Sequence, residues 1–184
     1  MIIKKYLVFT LIIASFLFGY YNQGLSISES DNTDAIFYNP AGLAVEHGKQ
    51  LDFFYEKYKD STFLFSNFKT TGFGFSIGYD GNNIHSFRIG LATKIHKNLY
   101  YGYTWDKNNL IDTGLLYRPF NFISAGWTST LFDDFSDFTS HDFGLAFRPF
   151  NSKFLTIGFD QSYDYKWKAQ TASLFLKTMP INGL

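Results

Sequence analysis

The chain has 184 residues, with 16 Lys and Arg against 16 Asp and Glu and no cysteine. Balanced charge removes a general electrostatic pull toward nucleic acid or acidic substrates, and the missing thiols exclude a disulfide framework, a thiolate metal site and a lipidated cysteine. Aromatic residues make up 21% of the chain, 23 of them Phe and 13 Tyr, and their interleaving with polar residues points to β-structure.

Residues 1–28 read as a signal peptide. Lys4 and Lys5 precede an apolar run from Tyr6 to Phe18, and Gly24/Ser26 or Ser26/Ser28 fit the small-residue positions before a cleavage point. The run is shorter than the roughly 20 residues that a spanning helix needs. Export is therefore expected, with an uncleaved anchor as the alternative.

Residues 29–48 follow as a short N-terminal plug segment, whose distinctive stretch is Asp-Ala-Ile-Phe-Tyr-Asn-Pro-Ala-Gly-Leu-Ala at 34–44. Asp31, Asn32 or Thr33 is placed to cap one helical turn through Ala35, Ile36 and Phe37. Pro40 pushes Asn39 out of the helical region, and Gly42 is expected to take a positive φ and reverse the chain. An ordinary helix stop before a strand explains the same residues.

Residues 49–184 alternate with a period of two. In 71–79, Gly72, Gly74, Ser76 and Gly78 oppose Phe73, Phe75, Ile77 and Tyr79; later, Asp142, Gly144, Ala146 and Arg148 oppose Phe143, Leu145 and Phe147. The spacing predicts strands at 50–57, 61–68, 71–79, 84–94, 97–106, 109–118, 121–131, 140–149, 153–163 and 167–177. Gly-Leu recurs at Gly90, Gly114 and Gly144, each time ahead of a basic turn. Acidic and amide-rich connections fall at the other ends of the strands, so the repeating unit is a hairpin.

The fold class expected is an all-β, antiparallel, up-and-down transmembrane β-barrel of about ten strands with a short helical plug. In a soluble sandwich the bulky face packs inward; in a membrane barrel it meets lipid and the lumen takes glycine, hydroxyl and charge. The apolar side of Leu99, Tyr101, Tyr103 and Trp105 carries no charge, which favours the membrane arrangement. Tyr79, Trp105, Tyr117, Phe120 and Phe147 sit near strand ends as candidate interfacial girdles. Lys177 to Gly183 repeats the pattern of a basic turn that leads into another strand. The expectation is a barrel incomplete at its C-terminus, with a compact ten-strand form as the alternative.

Set between a leader and aromatic strands, Asn39-Pro40-Ala41-Gly42-Leu43 resembles the plug signature of the FadL-like long-chain fatty-acid transporter barrels and their PorV-like relatives. The resemblance implies location in a bacterial outer membrane, a plug or gating role for Asn39, Pro40, Ala41 and Gly42, and passage of hydrophobic small molecules. PorV-like proteins escort secreted cargo, and similar barrels precede an SppA-like protease in longer bacterial proteins. The Gly-Leu-x-x-Arg-Pro-Phe repeat resembles that second arrangement, which makes the alternative function a non-catalytic anchoring or partner-binding module. Outer-membrane lipid is the expected surrounding, with a hydrophobic small molecule or a secreted protein as partner and no nucleic acid.

No enzyme chemistry is expected within the chain. Gly74-Phe75-Ser76-Ile77-Gly78 matches a nucleophile-elbow pattern, but its glycines continue the two-residue alternation, with no strand-to-helix turn. His47, His85, His96 and His141 lack metal-ligand spacing and read as loop or turn histidines; no metal or cofactor is expected. Charged positions on the small-residue face are the candidates for a lumen: Arg88, Asp112, Asp142 and Asp160 within strands, Arg118 and Arg148 near the plug end. Charges buried there are expected to pair or to hold the plug.

Overall fold

A computed structural model describes residues 26–30, 32–45, 48–58, 61–132, 138–151 and 154–178. The leader's apolar run, Asp31, His47 and the residues after Thr178 lie outside them. A four-residue helix, α1 (Ala35–Tyr38), and a 3-10 turn (Pro40–Ala44) precede ten strands. These are β1 (Gln50–Tyr58), β2 (Ser61–Thr70), β3 (Phe73–Tyr79), β4 (Ile84–His96), β5 (Leu99–Asp106), β6 (Leu110–Phe120), β7 (Ile123–Phe132), β8 (Phe138–Phe147), β9 (Leu155–Asp164) and β10 (Ala169–Thr178). Every strand end falls within two residues of its expected position.

The strands form a single sheet in sequence order, each antiparallel to the next. Ten strands connected by short turns are what a chain of ten-residue alternating segments must make, since antiparallel neighbours need only a tight link. Two glycines show the need for special backbone: Gly72, with φ +80, turns the chain between β2 and β3, and Gly81, with φ +94, turns it between β3 and β4. The sheet does not close on itself. Among the described residues β1 and β10 each pair on one side only, so these ten strands make an open, up-and-down sheet and not the compact closed form that was the alternative expectation.

The two faces are inverted relative to a water-soluble protein. Lys69, Ser76, Thr104, Ser124, Thr128 and Thr156 are buried on the inner face, whereas Leu51, Leu64, Leu91, Tyr103, Leu145 and Leu176 are exposed on the outer one. Phe53 and Leu174, on the two edge strands, are 74% and 79% exposed. Buried residues alternate with half-buried ones along β3, and with exposed ones in β5 from Tyr101 to Asp106, as a period of two requires. The expected girdle residues Tyr79, Trp105, Tyr117, Phe120 and Phe147 are all exposed.

The three described histidines are in strands, not in the loops or turns expected. His85 and His96 belong to β4, and His141 to β8. His141 falls on the bulky face, where its Nδ1 lies 2.5 Å from the Ser129 hydroxyl and the Trp167 indole stacks on its ring at 4.2 Å. A polar side chain there is tolerated because the hydroxyl satisfies it and the indole covers it.

Candidate functional site: the plug and its cradle

Residues 26–45 lie against the inner face. Asn39 is extended (φ −154°, ψ 102°), as the following proline dictates. It is also the plug's principal anchor: its side-chain oxygen accepts from the Ala41 amide at 3.1 Å, and its side-chain nitrogen donates to the Ile27 carbonyl at 2.9 Å and the Leu115 carbonyl of β6 at 3.0 Å. One amide side chain thus caps the 3-10 turn, ties two plug segments together and joins both to the sheet. Around it, Ala41 and Val45 pack with Leu116 of β6, and Tyr100 of β5 closes the cluster.

Two expectations for this segment need correction. The N-cap of α1 is Asp34, whose side chain makes no capping bond. Asn32 instead accepts from the Asp34 amide at 3.1 Å, and the Thr33 hydroxyl is drawn away to Asp52 of β1. Gly42 has no positive φ. Its glycine is required by space: a Cβ there would stand 1.4 Å from the Ser30 carbonyl oxygen, because the two plug segments cross at that point.

The sheet meets the plug along a row of inner-face glycines, one per strand from β3 to β8. A Cβ on Gly74 or Gly90 would meet Leu43 at 2.8 Å, one on Gly102 the Pro40 backbone at 2.5 Å, and one on Gly114 the Asn39 side-chain oxygen at 2.2 Å. Gly126 and Gly144 do the same for the segment at Ile27, whose carbonyl oxygen lies 2.4 Å from the Gly126 position. The recurring Gly-Leu pairs therefore combine a gap facing the plug with a large apolar group facing out. Without the glycines the plug backbone has no room against the strands.

Charged side chains complete the attachment. Arg88 donates to the Ile36 carbonyl at 3.2 Å, pairs with Asp112 at 2.9 Å and Asp106 at 3.4 Å, and lies over the Phe37 ring. Thr130 donates to the other Asp112 oxygen at 2.6 Å. Arg118 and Ser124 both donate to the Ser28 carbonyl, at 3.3 and 2.5 Å. Arg148 pairs with the buried Glu29 at 2.5 Å, Asp160 accepts from the Ser26 hydroxyl at 3.1 Å, and Lys69 donates to the Val45 carbonyl at 3.2 Å.

Of the six charged candidates, Arg88, Arg118, Arg148 and Asp160 touch the plug directly. Asp112 acts through Arg88, and Asp142 lies within electrostatic reach of Asp160 with no plug contact among those described. Glu29, Asp106, Lys69 and Asp52 were not singled out from the sequence. Two-residue alternation places Asp52 and Lys69 on the inner face, so the signal for them was present; Glu29 has no such periodic frame. Ser26, Ile27 and Ser28, expected at the end of the leader, pack within the plug. Burial raises the pKa of Asp34, and Asp52 adds to the rise, against the opposing bond from Asn32 and the field of Lys177. Asp52 of β1 takes the bond from Thr33, whereas Lys177 of β10 acts on Asp34 only through its field.

Among the described residues no group of His, Asp or Glu side chains is placed to hold a metal ion. Ser76 lies in mid-strand and donates to Asn67 at 2.6 Å, a setting that supplies neither a strained turn nor a histidine partner. The arrangement fixes the segment against one face of the sheet, by close packing at the glycines and by side-chain bonds. Compared with protein-family models, curated proteins and solved structures, the chain matches none.

Proposed function

We propose that the chain is an outer-membrane β-barrel protein of the FadL/PorV-like type, whose plug governs passage of hydrophobic small molecules. The observation that carries the reading is the inversion of faces, with leucine and aromatic rings outside and glycine, hydroxyl and paired charge inside. A sheet that lays this outer face in water would leave a large apolar surface uncovered; in hydrocarbon the same face is the favourable one. The open edges of β1 and β10 must then find partner strands in the bilayer, by joining each other or further strands, because unpaired backbone there costs several kcal/mol per group.

Leu91→Arg tests the membrane half of this reading. On a lipid face near mid-strand, arginine costs about 2–4 kcal/mol, and refolding into vesicles, followed by heat-modifiable gel migration, should fail or weaken in proportion. On a water-facing surface the same change stays within about 0.5 kcal/mol, and that result, or recovery of the native chain as a detergent-free monomer, removes the proposal.

Uptake of a fatty acid by vesicles carrying the protein tests the transport half. Uptake by the native chain above protein-free vesicles, altered by Asn39→Ala, supports a gate. Background uptake by both leaves the anchoring module, the reading favoured by the polar network of Arg88, Asp106 and Asp112 above the plug.

A further inference from the structure

The two ends of the sheet differ in charge and in aromatic content more sharply than the plug requires. No acidic residue occurs in 61–79, 89–105, 113–132 or 143–159, the four stretches that contain the turns at the plug end. The opposite connections carry Asp80, Asp106 and Asp164. Arg118 and Arg148 are committed to the plug and Lys94 lies over the inner-face ring of Tyr100 at 5.7 Å, but Lys49 and Lys97 at the same end are exposed.

Neighbouring turns at this end are bonded into a continuous rim. The Arg118 amide donates to the Asn98 carbonyl, the Asn98 side chain to the Pro119 carbonyl, and the Arg148 amide to the Phe122 carbonyl. On that rim lies a hollow of about 330 Å³ lined by Pro119, Phe120, Asn121, Phe122 and Asn151. Phe120 and Phe122 stack at 5.2 Å and are 61% and 39% exposed. Lys97 immediately precedes the Asn98 that bonds to this turn.

We propose that this rim is a recognition surface for anionic phospholipid, with the headgroup phosphate at Lys97 and the acyl boundary against Phe120 and Phe122. A cation with no acid in its own turn attracts an anionic headgroup, and exposed aromatic rings at the same level sit at the headgroup boundary. The far-end connections mix Asp80, Asp106 and Asp164 with Lys107, Lys166 and Lys168, so acid-free turns beside exposed rings are a feature of the plug end. The proposal rests on the membrane reading above.

Native mass spectrometry of the detergent-folded chain, titrated with phosphatidylglycerol and phosphatidylcholine, tests it. Each exposed lysine near an anionic headgroup is worth about a fivefold preference. The native chain should retain phosphatidylglycerol preferentially, K97Q should lose up to roughly fivefold of that preference, and K166Q/K168Q at the far end should keep it. Equal retention of the two lipids by the native chain, or a preference unchanged in K97Q, overturns the proposal. A chain with no heat-modifiable folded form in detergent overturns the membrane reading instead, and separates the two failures.

Discussion

The middle of the sheet and its flanks hold the same plug by different means. From β3 to β8 glycines admit Leu43, Pro40, Asn39 and Ile27 so closely that a single methyl group would collide, and the bonds of Arg88, Arg118 and Ser124 to plug carbonyls are added to that close packing. At β1, β2 and β9, and just past the end of β8, attachment is by side chains: Thr33 to Asp52, Lys69 to the Val45 carbonyl, Ser26 to Asp160 and Glu29 to Arg148. Close backbone packing tolerates no movement without a clash, whereas side-chain ties can break and re-form. The centre thus sets where the plug sits, and the flanks set how firmly its ends are tied.

The largest effect expected on a flank is at Glu29 and Arg148. Removing one partner of a buried ion pair leaves an uncompensated charge, at a cost of about 3–5 kcal/mol. Glu29→Gln should lower the denaturant midpoint of the folded protein by that amount, and E29Q/R148M should recover most of it. A single variant as stable as native would show that the flank tie holds nothing.

Glycine-to-alanine exchange at two positions compares centre and edge directly. At Gly102 the added methyl meets the Pro40 backbone at 2.5 Å, which cannot step aside, so Gly102→Ala should cost about 2–3 kcal/mol by overpacking. At Gly158 it meets only the ring of Phe175, a side chain on edge strand β10 that can rotate away. There the cost should stay below about 1 kcal/mol, partly offset by reduced freedom of the unfolded chain. Equal midpoints for the two variants would erase the distinction between the regions.

Asn39→Ala lies between these in kind, since it removes side-chain bonds from the centre. Losing two donated bonds leaves the Ile27 and Leu115 carbonyls without them, and about 2 kcal/mol of destabilisation is expected. Limited proteolysis should cut within 26–45 faster in this variant than in the native chain; unchanged cleavage would count against Asn39 as the anchor.

Much of this was legible in the sequence, for a definite reason. Two-residue alternation determines which face each side chain takes, so Arg88, Asp112 and Asp160 appeared on the plug side, with Phe75 and Leu91 opposite. Pro40 likewise announced the extended Asn39. What escaped were contacts between segments with no shared period. The Glu29–Arg148 pair spans 119 positions, and Gly42 is needed for a crossing with Ser30 rather than for its own φ. Alternation likewise describes each strand and says nothing of whether the first meets the last; only the basic-turn pattern after Lys177 bore on closure.

The smallest expected effect, and the one that probes the edge strand β10, concerns Asp34. Burial, with a contribution from Asp52, holds its folded pKa above the ordinary carboxylate value. The folded state therefore binds this proton more tightly than the unfolded chain does, so Asp34 contributes stability that is full below the unfolded pKa and is lost as pH rises through the folded one. The native denaturation midpoint should fall over that interval, and Asp34→Asn should flatten this part of the profile and raise the midpoint above it. The field of Lys177 opposes the shift, so Lys177→Gln should raise the Asp34 pKa further and carry the decline to higher pH. A Lys177→Gln profile that overlays the native one would mean that the field of Lys177 on β10 does not reach Asp34.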